Sequence, residues 1–138
     1  AKGALRALSF RAVDPGGQPL MAPVPAVADA LDTLGITVED LGVWDMHEAF
    51  AVGVLANLRG LSDARTCERY GITPRREVDP GQVNQWGGSI AFGHPLGASG
   101  GLQILSVLEQ LQIVPEPVGL LSSSAAGGQG AALAFEPC

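Results

Sequence analysis

Residues 118–136 have the sequence VGLLSSSAAGGQGAALAFE, in which two apolar runs flank a stretch of small residues. The runs 118–122 and 131–136 are predicted to be β-strands, because both are short, apolar and bounded by turn-forming residues. Strands joined by a loop as short as 123–130 pair antiparallel, whereas strands separated by a helix run parallel. One antiparallel pair behind a series of strand–helix units predicts an α/β fold, a layered domain with a mixed sheet covered by helices.

Upstream of this pair, predicted strands and helices alternate. Apolar spacing and the positions of glycines and prolines predict strands 4–13 and 41–46 and helices 23–34, 49–61 and 98–113. The run 41–46 has the character of a buried strand, and 49–61 is apolar almost all round, which predicts a helix enclosed by other elements. In the last helix, four leucines at helical spacing are expected to point inward: Leu102, Leu105, Leu108 and Leu111.

The segment from about residue 62 to 82 differs from the rest, because it holds much of the chain's charge and ends near Asp-Pro-Gly. This composition predicts a solvent-facing excursion, partly helical, within a single domain of residues 1–138. Cys67 lies on it, and the other cysteine is Cys138. Two cysteines form neither a disulfide framework nor a metal-ligand spacing, so we expect free thiols and no metal site.

The composition argues against several classes of function. The 138 residues include 8 Lys or Arg and carry a net charge of −6, so no basic surface is expected to neutralise a nucleic-acid backbone. No apolar run approaches the roughly 20 residues of a membrane span, and the first residues lack the apolar core of a signal peptide. We therefore expect a cytoplasmic protein that binds no nucleic acid and has no membrane span.

Three segments combine polar and small residues at predicted strand ends, where open α/β sheets carry their sites. The first is 45–50, in which His47 and Glu48 follow the buried strand. A functional histidine is one interpretation of this junction. The other interpretation is structural, a helix N-terminal cap with a buried charge pair.

The second segment, GGSIAFGHPLG at 87–97, holds His94 between Gly93 and Pro95. Proline restricts the backbone, and a rigid mount is what a catalytic imidazole requires. The alternative is a histidine that merely caps a loop, and the density of glycines favours the functional interpretation. The glycine spacing and the lack of a suitable acidic residue about 20 positions later argue against a dinucleotide-binding fingerprint.

The third segment is SSSAAGGQG at 122–130. Its backbone N–H groups are unshielded by side chains and are suited to an oxyanion or to the pantetheine amide of a ligand. A tight hairpin with glycines at positive φ is the alternative. A turn of two residues would suffice for that, so the length of the segment favours a functional loop.

Taken together, HEAF at 47–50, GGSIAFGHPLGASG at 87–100 and SAAGGQG at 124–130 resemble the carboxy-terminal half of the thiolase family. In that family the loops contain NEAF or HEAF, GHP, and CxGGGQG or CAAGGQG, in this order. The resemblance covers essentially the whole chain and implies a thiolase-like layered domain. It is strongest to the 3-ketoacyl-CoA thiolases of fatty-acid β-oxidation, of the trifunctional-complex type.

The resemblance implies an acyltransferase for thiolysis or Claisen condensation, with coenzyme A thioesters as substrates and no permanently bound cofactor. By this analogy His94 activates a nucleophilic cysteine and helps to form an oxyanion hole, in which His47 positions a water. The backbone N–H of Ala126 contributes to a second oxyanion site. The residues implied to contact the coenzyme A moiety are Ala49, Phe50 and Gly127.

Two departures from the family bear on this expectation. Ser124 stands at the position of the family's acid/base cysteine, and a serine hydroxyl does not exchange protons near neutral pH without a strong base. The sequence also contains no counterpart of the amino-terminal half, which carries the nucleophilic cysteine. We therefore expect a partner with that half, a hetero-oligomer, and an apolar face that receives the partner. The alternative is a non-catalytic thiolase-like subunit or coenzyme A-binding module.

Overall fold

The computed structural model describes residues 1–138 and contains one mixed sheet of four strands. The strands are β1 (Gly3–Ala12), β2 (Leu41–Met46), β3 (Val118–Ala125) and β4 (Gln129–Pro137). Their order in the sheet is β1-β4-β3-β2, in which β2 and β3 are parallel and β4 runs antiparallel to both of its neighbours. The predicted α/β fold with a mixed sheet is confirmed.

Five α-helices accompany the strands: α1 (Pro23–Leu34), α2 (Ala51–Gly60), α3 (Ala64–Tyr70), α4 (Ser89–Phe92) and α5 (Ser99–Gln110). Because side chains alternate along a strand, Trp44 and Leu120 belong to the larger core beneath α1, and Val43 and Leu121 to a smaller core beneath α5. Helices therefore lie on both faces of the sheet. None of them has the length and apolar character needed to cross a membrane.

Helix α1 shows how local sequence sets an element's bounds. Its first residue is a proline. Proline has no backbone N–H, and an N–H in the first turn would have no partner within the helix. Gly35 ends the helix with a φ of 67°. A close backbone approach then holds the helix start against the sheet. Gly130 of β4 lies directly against the backbone of Ala22 and Pro23, where a side chain would not fit.

The predicted orientation of α5 is wrong for two of its leucines. Four buried residues of the helix face inward: Ser99, Gln103, Val107 and Gln110. Leu102 and Leu105 are instead 52% and 58% exposed. The helix is apolar on two sides, and leucine spacing alone does not determine which of the two meets the sheet.

Helix α2 is also not enclosed in this chain. Leu58 is buried in the larger core, but Val52 and Leu55 are exposed. The helix starts two residues later than predicted, because Phe50 has an extended backbone and precedes the first turn. The chain therefore has uncovered apolar residues on both α2 and α5.

The charged segment at 62–82 is partly helical, as predicted, but it does not simply face solvent. Helix α3 buries Cys67, whose thiol lies 3.4 Å from the carbonyl oxygens of Gly60 and Leu61. The segment carries a few apolar residues that reach the core, while Arg75 pairs with Asp32 of α1 at 2.6 Å. Both cysteines are free, as expected.

The predicted loop at 123–130 is a tight hairpin, the alternative interpretation of this segment. Strand β3 continues to Ala125 and β4 begins at Gln129, so only residues 126–128 form the turn. Gly127 and Gly128 have φ values of 86° and 76°, which favour glycine. Ser124 therefore lies on a strand, opposite Gly130.

A buried polar contact joins β2 to α5. Asp45 is 3% exposed, and its carboxylate accepts a hydrogen bond from the side-chain nitrogen of Gln103 at 2.9 Å. The side-chain oxygen of Gln103 is buried without a hydrogen-bond partner. Burial raises the pKa of Asp45 and the Glu48 carboxylate adds to this, while hydrogen bonds from Gln103 and Ser106 oppose it.

We expect Gly130→Ala to lower the free energy of unfolding by about 1–3 kcal/mol, because the added methyl group overlaps backbone atoms that cannot rotate away. Urea unfolding measures the change. Gly101→Ala is the matched control, since that glycine lies in α5 with open space around it, and the gain in helix propensity is about 0.5–1 kcal/mol. Equal losses in both variants would contradict the close approach.

Asp45→Asn is expected to make the chain more stable at pH 8, because an amide has no charge to desolvate and can donate to the unpartnered oxygen of Gln103. The folded-state pKa of Asp45 is raised, so its stabilising contribution is present below the unfolded value of 3.8 and is lost as pH rises through the folded value. The advantage of the variant should therefore shrink on acidification. Urea unfolding between about pH 4 and pH 8 tests this, and an advantage of the same size at every pH would contradict it.

Candidate active site

Six of the seven sequence-predicted site residues line one cleft of about 530 Å³. They are His47, Ala49, Phe50, His94, Ser124 and Ala126. The seventh, Gly127, follows Ala126 in the hairpin turn but does not line the cleft. Three segments that are far apart in sequence therefore meet at one place.

The cleft lies where two parallel strands end. Strand β2 is followed directly by His47, and β3 ends in the segment that contains Ser124, so the residues after both strands share one edge of the sheet. The His47 N–H donates to the carbonyl oxygen of Ser122 at 2.8 Å, which continues the pairing beyond β2. The loop with His94 reaches the same edge because it leads into α5, which packs on β2 and β3.

The imidazole rings of His47 and His94 are neighbours, with centroids 4.4 Å apart and planes inclined by 44°. Each Nδ1 atom lies within hydrogen-bond distance of a serine hydroxyl. Ser89 Oγ is 2.9 Å from the Nδ1 of His47, and Ser99 Oγ is 2.6 Å from the Nδ1 of His94. In both rings Nε2 is therefore the nitrogen left for a ligand.

The environments of the two histidines differ. His47 is 8% exposed, whereas His94 belongs to an exposed loop. Burial lowers the pKa of His47, and the nearby His94 lowers it further because two positive charges repel, while Glu48 opposes both effects. These effects favour the neutral imidazole at His47, and His94 has the freer access to solvent and ligands.

Glu48 connects the segment after β2 to the segment before α5. One carboxylate oxygen accepts from the Ile90 N–H at 2.9 Å, and the other accepts from the side-chain nitrogen of Asn84 at 2.8 Å. The side chain of Asn84 also bonds to the backbone N–H and carbonyl of Met46. Glu48 does not cap α2 and forms no ion pair, but it accepts from an N–H in the first turn of α4, so the helix that it caps is not the one predicted.

The backbone around the cleft has conformations that few residues adopt. Gly93 has a φ of 89° immediately before His94. Leu96 has a φ of 45°, which is unusual for leucine, and it lines the cleft. Backbone strain of this kind concentrates at functional sites, and here it lies on the loop that carries His94.

The Ser124 side of the cleft offers a hydroxyl and a backbone donor. Ser124 is half-buried near the end of β3. The Ala126 N–H donates in none of the hydrogen bonds that lie outside the helices and strands. A ligand in the cleft therefore meets two imidazoles, a hydroxyl and a backbone N–H, a set of groups suited to proton transfer and to oxyanion stabilisation.

Sequence reasoning missed the residues that support this set, Ser89, Ser99 and Asn84. A serine at the start of a helix is ordinarily interpreted as a cap, so no pattern singled out either serine. Asn84 has a φ of 51°, a conformation that asparagine tolerates better than most residues, and this is the one signal that its position offers.

No group of three or more His, Cys, Asp or Glu side chains lies close enough together to hold a metal ion.

Comparison with known proteins identifies relatives over nearly the whole chain. Residues 1–137 match the family model for the thiolase C-terminal domain. The 3-ketoacyl-CoA thiolases of Erwinia tasmaniensis and Salmonella heidelberg are 43% and 42% identical in sequence to this chain, over 97% of its length. Each match covers 31% of the relative, so the chain spans about a third of the length of the curated relatives it matches.

A solved structure leads to the same family. The crystal structure of human mitochondrial 3-ketoacyl-CoA thiolase is similar to this chain with a TM-score of 0.82 and 28% sequence identity, over 99% of this chain and 31% of that one. The expected thiolase-like fold is therefore confirmed. Since the family model and the relatives cover the chain almost from end to end, this protein belongs to the thiolase family and is a thiolase carboxy-terminal domain.

Proposed function

We propose that this chain forms one wall of a thiolase active site, which transfers acyl groups between coenzyme A thioesters. The reaction is thiolysis of a 3-ketoacyl-CoA, as in fatty-acid β-oxidation, or the reverse Claisen condensation. One observation supports this most: His47, His94 and Ser124, from three separate motifs, line one cleft. An amino-terminal thiolase half, whichever polypeptide carries it, supplies the nucleophilic cysteine.

The reaction needs a base and two sets of oxyanion donors. His94 accepts the proton of the nucleophilic thiol, and the resulting thiolate attacks the 3-keto carbon. The carbon–carbon bond then breaks and leaves an enolate on the acetyl-CoA product. His47, with or without a bound water, stabilises one developing oxyanion beside His94, and the Ala126 N–H stabilises another across the cleft. Ala49 and Phe50 border the pantetheine arm, and Gly127 lies at the rim.

The proton-transfer step is where this chain departs from its family. The enolate must gain a proton in thiolysis, and a cysteine with a pKa near 8.5 exchanges one readily. The Ser124 hydroxyl is far less acidic, and no side-chain base is hydrogen-bonded to it. Thiolysis at this site is therefore slow unless another acid supplies the proton.

The amino-terminal half docks on the α5 side of the sheet. Leu102 and Leu105 are exposed on α5, and Phe10 of β1 is 73% exposed. Ser9 hydrogen-bonds to α1 on one face, so Leu8 and Phe10, its neighbours in the strand, lie on the other face. Exposed apolar residues on one face are typical of an interface. When a separate chain carries that half, the assembly is the expected hetero-oligomer.

A second candidate is a non-catalytic thiolase-like subunit or a coenzyme A-binding module. Ser124 favours it, because the cleft keeps both histidines but lacks the acid/base thiol. A cytoplasmic location is part of either proposal and is supported by the two free cysteines and the composition.

Ser124→Cys tests catalysis directly. With the amino-terminal half of the Erwinia tasmaniensis 3-ketoacyl-CoA thiolase present, we expect the variant to raise the rate of 3-ketoacyl-CoA thiolysis by about 10²–10⁴-fold, the usual contribution of a general acid. The release of acetyl-CoA measures it. Ser123→Cys is the matched control, because it adds a thiol to the adjacent strand position and should give no gain.

His94→Ala in the Ser124→Cys background should abolish this activity while the far-UV circular dichroism spectrum stays unchanged. Turnover retained without His94 would remove it from the mechanism. If Ser124→Cys gives no thiolysis although the half is bound and coenzyme A binds, the catalytic proposal fails and the binding module is favoured.

The docking face is tested by Leu105→Glu. We expect it to weaken binding of the amino-terminal half by about ten-fold or more, since an unpaired carboxylate in an apolar interface costs at least about 1.4 kcal/mol. Sedimentation analysis of the mixed halves measures the complex. Val52→Glu is the control, an exposed apolar residue on α2, and it should leave the affinity unchanged. Equal weakening by both variants, or no complex with the unaltered chain, would contradict the assignment.

A further inference from the structure

The hydrogen bond between Ser89 and His47 has a direction that the surrounding groups determine. Ser89 Oγ lies 2.9 Å from His47 Nδ1, and no other hydrogen bond involves this hydroxyl. A hydroxyl carries one proton, and a neutral imidazole has one nitrogen without a proton. If Nδ1 carried its proton towards Ser89, the hydroxyl proton would have no acceptor in the chain. Donation from Ser89 to Nδ1 satisfies both groups.

The neutral state of His47 follows from what surrounds it. The titratable groups that face the ring are His94, at 4.4 Å between centroids, and Glu48. The Glu48 carboxylate is held by the Ile90 N–H and by Asn84, so it is not hydrogen-bonded to the imidazole. A proton on His94 repels a second proton on the buried His47. The buried ring of His47 is therefore the one disfavoured for a positive charge.

The position of Ser89 is fixed independently of the histidine. Glu48 bonds to the first turn of α4, which begins at Ser89, and thereby ties this turn to the residue that follows His47. Gly88 makes the approach possible, because a Cβ there would lie 2.6 Å from the carboxylate of Glu48. The Ser89 hydroxyl is therefore presented to His47 by a backbone that other contacts hold in place.

We propose that Ser89 is a positioning residue which donates its hydroxyl proton to His47 Nδ1 and holds His47 as the neutral tautomer protonated on Nε2. Nε2 is then a permanent N–H donor towards the cleft, beside the more exposed His94. The use of this donor in catalysis rests on the proposed function, but the tautomer does not.

Nitrogen NMR of the chain labelled with ¹⁵N-histidine tests the tautomer, since the chain has only 2 histidines. For His47 at neutral pH we expect Nδ1 to have the shift of an unprotonated, hydrogen-bonded nitrogen and Nε2 the shift of a protonated one. The resonances are assigned with His94→Ala. In Ser89→Ala both shifts should move towards the averaged values of a ring that exchanges between tautomers, and Ser89→Thr should restore the parent shifts.

Ser106→Ala is the matched control, because this serine lines the small cavity beside Ser89 but is hydrogen-bonded to neither histidine. It should leave the shifts of His47 unchanged. The proposal is overturned if His47 Nδ1 carries the proton in the parent chain, or if Ser89→Ala leaves both His47 shifts where they were.

A kinetic measurement separates this proposal from the function itself. In the Ser124→Cys background, with the amino-terminal half bound, Ser89→Ala should lower kcat about five-fold and change KM little, the loss expected when one hydrogen bond orients a catalytic group. Complete inactivity of the Ser124→Cys parent would reject the thiolase function, whereas the NMR shifts decide the tautomer in either case. A rise in KM with kcat unchanged would contradict the positioning role.

Discussion

Five Cα pairs, from Leu41–Val118 to Met46–Ser122, join β2 to β3 in parallel, and the site exists because both strands end at the same edge. A buried side-chain hydrogen bond also stabilises the pairing, because the indole N–H of Trp44 donates to the Ser122 hydroxyl at 3.0 Å. A slip of one residue would move every side chain of β2 to the opposite face. Trp44 would leave the core and His47 would leave its place beside His94, so core packing and site geometry depend on one register.

The second constraint is that the sheet is covered unequally on its two faces. Helix α1 lies over β1 and β4, but α5 lies mainly over β2 and β3, which leaves Leu8 and Phe10 of β1 uncovered. With 38 of 138 residues buried, much of the chain's apolar content lies outside its own core. The row of α5 that faces the sheet mixes polar and apolar residues, such as Gln103 and Val107, and Leu102 and Leu105 face away. This arrangement is consistent with a helix that serves as an inner layer between two sheets.

Much of the fold was predictable, because strand and helix bounds follow from local signals. The bounds of α1 follow from a proline and a glycine, and β2 is a short, largely apolar run that contains only one charged residue, Asp45. The side chains that line the cleft were also predictable, since His47, His94 and Ser124 lie in motifs beside strand ends. The face of α5 that meets the sheet was not predictable, because an apolar residue can be buried by another chain as well as by its own.

The remaining differences between the predicted and the observed structure arise because local sequence does not show contacts that form in space. Cys67 lies among charged residues, and local composition does not reveal that one row of α3 reaches the core. The predicted loop at 123–130 is longer than the observed turn at 126–128, because small side chains are compatible with both a strand and a loop. Ser89 was missed because its role depends on a ring that is 42 positions away in sequence, at 2.9 Å in space. Contacts of that kind become visible only when the backbone positions are known.

The burial of Cys67 has a chemical consequence for the proposed function, in which the cleft binds thioesters. Free thiols exchange acyl groups with thioesters when the sulfur is accessible and ionised. Cys67 is 1% exposed, and burial raises the pKa of its thiol with a further contribution from Asp63. It is therefore excluded from adventitious acylation by the acyl-CoA that the cleft is proposed to bind. Cys138 is exposed and is therefore the one thiol of this chain that thioesters in solution can reach.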